Sequence, residues 1–282
     1  MAGLGKLPPF SAVMNRLMAT LADEEVSFGE VAAVIEQDPV LAGNVLKVVN
    51  SAAYGRRGTV NSLRHAVSML GLAKIRNTAM SISVSQMWGR MDLHPQWSPK
   101  QFHLHASAAA ILADQFALEF EVNYPEGAFT CGLLSGVGLL LIASALRNEF
   151  TQLIRCYNID PSRGTPSSPP LLQTIECAVL GFPHTDLTAA VLDHWNLPKP
   201  IVEAVSDLSA TVLPAHPPAR LSELLLAAST VAGQAGYCIQ SWVTSPSGDP
   251  IHTLDSIGLS ARSSDMLRQF ETQMHAMSPF HT

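Results

Sequence analysis

The sequence has few charged residues and lacks the short frames that mark most catalytic sites. Charged residues make up 14% of the chain and hydrophobic residues 47%, a balance typical of a folded globular protein and not of a disordered chain. The net charge of −6 gives no reason to expect DNA binding, which needs a strongly basic face. The amino terminus lacks the apolar segment of a secretion signal, so we expect a cytoplasmic protein.

The sequence lacks several motifs that are common in enzymes. Gly136 and Gly138 lack the third glycine of a dinucleotide-binding turn, and Ser135 lacks the G-x-S-x-G frame of a nucleophile elbow. There is no phosphate-binding G-x-x-x-x-G-K-[ST] run and no zinc-binding H-E-x-x-H pair. These absences leave the histidines as the residues to consider for chemistry.

The cysteines form no C-x-x-C pair; they stand apart at Cys131, Cys156, Cys177 and Cys238. Each has apolar or helical surroundings in the sequence, so we expect buried free thiols in a reducing cytoplasm.

Residues 127–146 carry no charge and are numerous enough to span a bilayer. The stretch also holds four glycines, two serines and a threonine, and no cluster of lysine or arginine flanks it. A helix buried on all sides of a globular core gives the same pattern. We favour the core helix and expect no membrane contact.

The spacing of apolar residues is helical almost throughout, and no stretch alternates long enough to predict a strand. Residues 10–21 form one apolar face, Ser27 and Glu30 make a capping box, and Asp38 precedes a proline at a helix start. Ser62 is a further cap. Later helices are predicted at 73–88, 100–119, 128–146, 147–157, 170–180, 184–195, 199–209, 219–235 and 263–278. Residues 160–170 are rich in proline and serine and predict an exposed loop.

Prolines at 95 and 99 interrupt this pattern. We therefore predict an all-α protein in two parts, with residues 1–95 as an amino-terminal helical subdomain and residues 96–282 as a helical core with a carboxyl-terminal tail. Met266, Phe270, Met274 and Met277 in that tail have helical spacing, so the tail packs on the core or faces a second copy of the chain.

Charge is unevenly spread. Between Pro39 and Met91 there is no aspartate or glutamate. The basic residues in this interval are Lys47, Arg56, Arg57, Arg64, Lys74, Arg76 and Arg90. Such asymmetry suits an acidic partner, a nucleotide or another anion, and it also suits an ordinary solvated face.

Histidine is the remaining candidate for metal chemistry, because a hydrolytic metal site needs several converging histidines and carboxylates. His103 and His105 are two residues apart, so on one helix they face different directions and cannot easily bind one ion. A single histidine is more often a core or capping residue than a ligand.

Motifs in the first part carry a resemblance. Residues 7–10 (LPPF), 35–41 (IEQDPVL), 49–55 (VNSAAYG) and 62–72 (SLRHAVSMLGL) resemble the amino-terminal half of HDOD domains. These are bacterial output domains related to the HD metal-dependent phosphohydrolases, and the likeness covers roughly residues 6–210. It implies an all-helical fold.

The second part resembles the helical core of the same family. His105 stands where relatives have a first ligand histidine, and residues 133–138 (LLSGVG) stand where the family has L-L-H-D-I-G. Ser135 and Gly136 thus occupy the His-Asp positions, while Glu176 and His184 match an E-x-x-x-x-G-x-x-H element. We call His105, Ser135, Gly136 and His184 the vestigial HD site. The resemblance therefore implies no bound metal, no cofactor and no catalytic residue.

The resemblance implies a non-catalytic, stand-alone bacterial signalling module that acts through protein partners. Residues proposed for partner or anion binding are Asn50, Tyr54, Arg56, Arg57, Arg64 and Arg76, together with the groove between the two parts. Two alternatives stay open: a nucleotide or small-molecule sensor that uses the vestigial cavity, and a residual phosphohydrolase with His105, His184 and Asp186 or Asp193. The partner, the upstream signal and the oligomeric state are not predicted, and a homo-oligomer is compatible with the sequence.

Overall fold

The computed structural model describes residues 15–16, 26–51, 60–157, 172–243 and 245–277. Within these ranges the chain is helical and contains no strand, which confirms the all-α prediction. Of the predicted helix at 10–21, only residues 15 and 16 are described, and both are helical. The predicted loop at 160–170 lies outside the described residues.

The described residues form two compact units, divided after Arg90 and after Phe270. The helices of the first unit are α1 (Phe28–Glu36), α2 (Pro39–Val49), α3 (Leu63–Leu70) and α4 (Leu72–Trp88). The helices of the second unit are α5 (Pro99–Ala117), α6 (Ala128–Leu134), α7 (Val137–Ala145), α8 (Arg147–Tyr157), α9 (Leu172–Leu180), α10 (His184–His194), α11 (Lys199–Asp207), α12 (Leu221–Gln234) and α13 (Pro250–Ser256). The last helix, α14 (Ser263–Met277), has residues in both units.

The first unit begins its helices at the predicted caps. The Ser27 hydroxyl accepts a hydrogen bond from the Glu30 amide at 3.2 Å, and the Glu30 carboxylate accepts one from the Ser27 amide. Asp38 accepts from the first amides of α2 at 3.0 Å, and Ser62 accepts from the His65 amide at 3.2 Å. Each cap satisfies amides that a helix start leaves without a partner.

The second unit is built around α5, whose run of small residues allows close packing. A Cβ added at Gly132 of α6 would lie 2.6 Å from the Cα of Ala110, so α6 and α5 approach more closely than larger residues allow. The stretch Pro125–Ala145 is long and apolar enough to cross a membrane, but 89% of its most apolar window is buried. Its residues therefore supply the interior of this unit.

The prediction of one continuous helix at 128–146 is wrong, because the stretch forms two helices. The structure breaks it into α6 and α7 at Ser135 and Gly136. Helix α13 was not predicted, although Asp249 and Pro250 repeat the signal that begins α2, and Asp249 accepts from the Ile251 amide at 2.9 Å.

The expectation of buried thiols holds only for Cys131. The thiol of Cys177 is exposed, and those of Cys156 and Cys238 are partly exposed. Burial raises the pKa of Cys131 to about 12, so this thiol stays protonated.

The apolar residues of the tail are buried within the chain. Met266, Phe270, Met274 and Met277 are each less than a tenth exposed. These side chains therefore form core contacts, which is one of the two arrangements expected from their spacing.

Candidate functional site

His184 of the vestigial HD site forms a hydrogen-bonded pair with Glu176. Glu176 of α9 is fully buried, and a turn at Gly181, with φ of +82°, brings the chain back to it. Its carboxylate accepts a hydrogen bond from the His184 backbone amide at 2.8 Å and lies 2.7 Å from the His184 Nδ1. A carboxylate therefore caps the start of α10, where Pro183 offers no side-chain cap.

The second histidine, His105 of α5, lies with its Nδ1 atom 2.7 Å from the carbonyl oxygen of Tyr237. A carbonyl only accepts, so Nδ1 carries the hydrogen. Burial of the ring lowers the pKa of His105, against the opposing effect of the Tyr237 hydrogen bond, and a nearby His184 lowers the pKa further. The ring is therefore neutral at neutral pH.

The two histidines share an orientation that is common in metal sites. Each directs Nδ1 to an oxygen atom, His184 to a carboxylate and His105 to a carbonyl. Metal-binding histidines usually donate one ring N–H in this way and bind the ion through the other nitrogen. This side of the site keeps the supporting contacts of a metal centre.

The side of the site formed by Ser135 and Gly136 lacks such supporting contacts. Ser135 and Gly136 form the turn between α6 and α7, and the Ser135 hydroxyl donates back to the Gly132 carbonyl at 3.1 Å. A Cβ added at Gly136 would lie 2.8 Å from the ring of Phe102 and 3.2 Å from the Cδ1 of Ile239. Because Phe102 is 1% exposed, it has little room to move. Apolar side chains thus fill the space where an aspartate side chain would extend.

Thr188 of α10 holds this turn in place. Its hydroxyl accepts a hydrogen bond from the Gly138 amide at 2.9 Å and lies 3.1 Å from the Ser135 carbonyl. A Cβ added at Gly138 would lie 2.0 Å from the His184 carbonyl oxygen. Helices α7 and α10 therefore touch backbone to backbone, and only glycine allows that approach.

These residues do not fit a hydrolytic metal centre. Across the described ranges, no group of three or more histidine, cysteine, aspartate or glutamate residues could hold an ion. Asp186 and Asp193, which the phosphohydrolase alternative requires, are exposed on α10. A centre that activates water needs several ligands and an open position, and two histidines beside a filled Gly136 position offer neither.

Among the residues proposed for partner or anion binding, Asn50 has a backbone role. Its Nδ2 donates to the carbonyls of Leu46 and Val60, both at 2.9 Å, and its Oδ1 accepts from the Val60 amide at 2.7 Å. The side chain therefore ties together the two chain ends that flank residues 52–59. Tyr54, Arg56 and Arg57 lie outside the described residues.

Arg64 and Arg76 have different surroundings. Arg64 lines a recess of about 670 Å³ in the first unit, and Arg76 does not. The recess is bordered by Ser27, Phe28, Gly29, Ser62, Arg64, His65 and Ser68. The Nε of Arg76 lies 3.3 Å from the Asn77 side-chain oxygen.

Sequence reasoning identified Ser27 and Ser62 only as helix caps and did not place them beside Arg64. The available signal was that two helices, α1 and α3, begin with serine caps within one unit. The sequence did not reveal that the two starts border one recess, because that depends on how the helices pack.

The all-helical fold agrees with a comparison to known families. A model of the HDOD domain matches residues 7–210. The chain belongs to the HDOD family. It is an HD-related helical module, as the resemblance in the sequence implied.

Individual relatives of this HDOD protein are distant. An uncharacterised protein from Treponema pallidum (strain Nichols) is 25% identical over 199 residues, which are 71% of this chain and 37% of that protein. The solved structure of an HDOD domain protein of unknown function from Geobacter sulfurreducens has a TM-score of 0.73 at 20% identity, over 98% of this chain and 91% of that one. A protein from Marinobacter aquaeolei VT8, provisionally named for signal transduction, has a TM-score of 0.73 at 21% identity, over 98% of this chain and 60% of that one.

This HDOD protein therefore spans 37% of the Treponema relative and 60% of the Marinobacter relative, both less than two thirds. At these identities the solved structures show a shared fold.

Proposed function

We propose that this HDOD protein is a non-catalytic module of bacterial signal transduction that acts in the cytoplasm through contacts with protein partners. Residues 1–95 and 96–282 together would make up one such module. The observation that carries the proposal is the filled position at Gly136, where the ring of Phe102 and the Cδ1 methyl of Ile239 occupy the space of a ligand side chain. The role named for the Marinobacter protein is consistent with it.

The filled position supports a loss of hydrolysis for two reasons. Gly136 supplies no donor atom, and the Ser135 hydroxyl is hydrogen-bonded within its own turn. Metal-assisted hydrolysis needs an ion that keeps a position for water or substrate. The apolar contacts at Gly136 leave a partial ligand set without such a position.

The charge of the first unit supports an acidic protein partner. Arg64 and His65 line the recess, and none of the described residues that border it is acidic. Glu30 accepts hydrogen bonds from Ser27, which borders the recess. Hydrogen bonds from Ser27 lower the pKa of Glu30, so that carboxylate is already used by the capping box. Phe28, also at the recess, is 45% exposed. An acidic side chain beside an apolar one on the partner would suit a guanidinium next to an exposed ring.

Elemental analysis of the purified protein tests the loss of chemistry. We expect transition metal well below one ion per chain, and no hydrolysis of bis(p-nitrophenyl) phosphate with added Mn²⁺. Near-stoichiometric metal together with hydrolysis that His105→Ala abolishes would overturn the proposal.

Charge reversal tests the partner surface. Cross-linking in host cells would identify a partner, whose affinity is then measured with the two purified proteins. We expect Arg64→Glu to weaken binding about ten-fold or more, the loss typical of a charge-assisted hydrogen bond. Lys100→Glu, a reversal at an exposed residue of the second unit, is the matched control and should leave affinity unchanged. Equal effects from both variants would contradict a role for the recess.

One observation favours a second candidate, the residual phosphohydrolase. His105 and His184 keep the Nδ1 contacts that orient metal-binding histidines. The elemental analysis separates the two functions, because that candidate requires an ion at these rings. The sensor alternative would instead give a nucleotide released when the purified protein is denatured.

A further inference from the structure

A short segment after α12 contacts the vestigial HD site directly. Residues 237–242, which we call the strap, follow a reversal at Gly236, where φ is +92°. The Tyr237 amide donates back to the Ala232 carbonyl at 2.9 Å, a glycine-dependent helix end. The strap lies beyond residue 210, where the match to the HDOD model ends.

Two strap residues contact two different positions of the vestigial HD site. The Tyr237 carbonyl accepts the hydrogen bond from the His105 ring at 2.7 Å. Ile239 borders the space above Gly136, 3.2 Å from where a Cβ would stand. One continuous segment thus satisfies the retained histidine and fills the gap left by the lost aspartate.

The strap is anchored directly after these contacts, at Gln240 and Trp242. Gln240 is fully buried; its Oε1 accepts from the Ser98 amide at 2.9 Å and its Nε2 donates to the Ser98 carbonyl at 3.2 Å. The Trp242 ring lies 5.7 Å from the rings of Phe150 and Tyr157. These contacts hold the strap by paired hydrogen bonds and aromatic packing.

We propose that the strap is the resident occupant of the vestigial HD site, so that a ligand reaches the Nδ1 of His105 and the space beside Gly136 only when the strap is displaced. The site then binds a segment of its own chain, residues 237–242, in place of a ligand. The Tyr237 carbonyl satisfies the Nδ1–H of His105, and both side-chain polar atoms of Gln240 are paired with Ser98. These hydrogen bonds lower the cost of closing the site without metal. The proposal does not depend on the identity of any partner.

The tautomer of His105 gives the first test. The protein is treated with a chelator, and the ring nitrogens are observed by long-range 1H–15N NMR. A bond to the Tyr237 carbonyl requires hydrogen on Nδ1, whereas a free imidazole favours hydrogen on Nε2. We expect His105 with hydrogen on Nδ1 in metal-free protein; hydrogen on Nε2 would overturn the proposal.

Displacement of the strap gives the second test. Ile239→Asp introduces a carboxylate against Gly136 and Phe102, while Ser241→Asp introduces the same charge at an exposed position of the strap. We expect Ile239→Asp to increase amide hydrogen exchange across residues 237–242 at least ten-fold and to shift His105 towards hydrogen on Nε2. Protection of α5, α6 and α12 should persist, and Ser241→Asp should change neither measurement.

A milder variant guards against loss of the fold. Gln240→Ala removes both hydrogen bonds to Ser98 without adding charge, and should increase exchange of the same residues by a smaller factor. Exchange that rises equally throughout the second unit in both variants would overturn the proposal, since the strap would then be an inseparable part of the core. Unchanged exchange and an unchanged His105 tautomer in both would overturn it as well.

Discussion

The two sides of the vestigial HD site differ: one holds hydrogen-bonded histidines, and the other is filled by apolar side chains. On the histidine side, His105 and His184 keep hydrogen bonds of 2.7 Å to a carbonyl and to a buried carboxylate. On the other side, Ser135 and Gly136 supply no ligand, and Phe102 and Ile239 fill the space beside them.

The difference follows from what each residue does for the fold. The Glu176 carboxylate secures the start of α10 through the His184 amide, so losing this carboxylate leaves the amide without its partner. An aspartate at position 136 would cap no helix start in this way. Apolar side chains can therefore pack in its place. The polar residues at these positions are thus the ones that the backbone uses.

Removing the Glu176 carboxylate should have the largest effect on stability among the changes that test this comparison. We expect Glu176→Ala to lower the free energy of unfolding by about 3 kcal/mol or more, because it leaves the His184 amide and ring without their buried partner. Urea denaturation measures the change. Glu176→Gln keeps one acceptor oxygen and should lose about 1–2 kcal/mol; equal losses for the two variants would show that the acceptor does not matter.

Adding one methyl group at the contact of α7 and α10 should have the next largest effect. We expect Gly138→Ala to destabilise by about 2–3 kcal/mol, because helices must separate to accommodate the added carbon. That carbon would otherwise lie 2.0 Å from the His184 carbonyl oxygen. Thermal and urea unfolding measure the loss.

Gly43 is the matched control, since a Cβ there meets nothing within 4 Å and the residue is inside α2. Gly43→Ala should stabilise by about 0.5–1 kcal/mol through helix propensity alone. A neutral Gly138→Ala variant would remove the argument for close backbone approach.

Much of this fold follows from local signals. The capping box at Ser27 and Glu30, the Asp38 cap and the helical spacing of apolar residues are short-range features, and helix formation depends mainly on them. The vestigial positions could be assigned from the sequence alone, because the motif around Ser135 and Gly136 is contiguous, and this assignment stays a prediction.

What could not be predicted depends on contacts distant in sequence. The break between α6 and α7 rests on Thr188, more than 50 residues away from Ser135, and the strap joins Tyr237 to His105 across 132 residues. Periodicity describes one helix at a time and carries no information on such packing. The recess beside Arg64 was missed for the same reason.

Restoring the family residues should not restore a metal site. We expect Ser135→His with Gly136→Asp to lower stability by about 2 kcal/mol, because the new side chains enter space held by Phe102 and Ile239. Elemental analysis after incubation with Mn²⁺ or Zn²⁺ should find no stoichiometric ion.

Gly136→Ala is the control that separates volume from charge, and it should lose about 1 kcal/mol through crowding alone. A stable double variant that binds one ion per chain would mean that the apolar filling yields readily and that the two sides differ only in ligand identity.

The smallest expected effect concerns pH and His105. Burial lowers the pKa of His105 below its ordinary value of 6.5, so in the window below 6.5 the unfolded chain binds the proton more readily than the folded one. Stability from the neutral ring is therefore complete above pH 6.5 and falls as pH decreases towards the folded pKa. His94 also has a pKa lowered by burial and adds a slope of the same sign. Urea unfolding at several pH values should give a shallower slope for His105→Asn than for the unmodified protein, with the His94 contribution common to both. Parallel slopes would mean that the His105 ring is solvated enough to titrate as in the unfolded chain, and the strap would then not shield it.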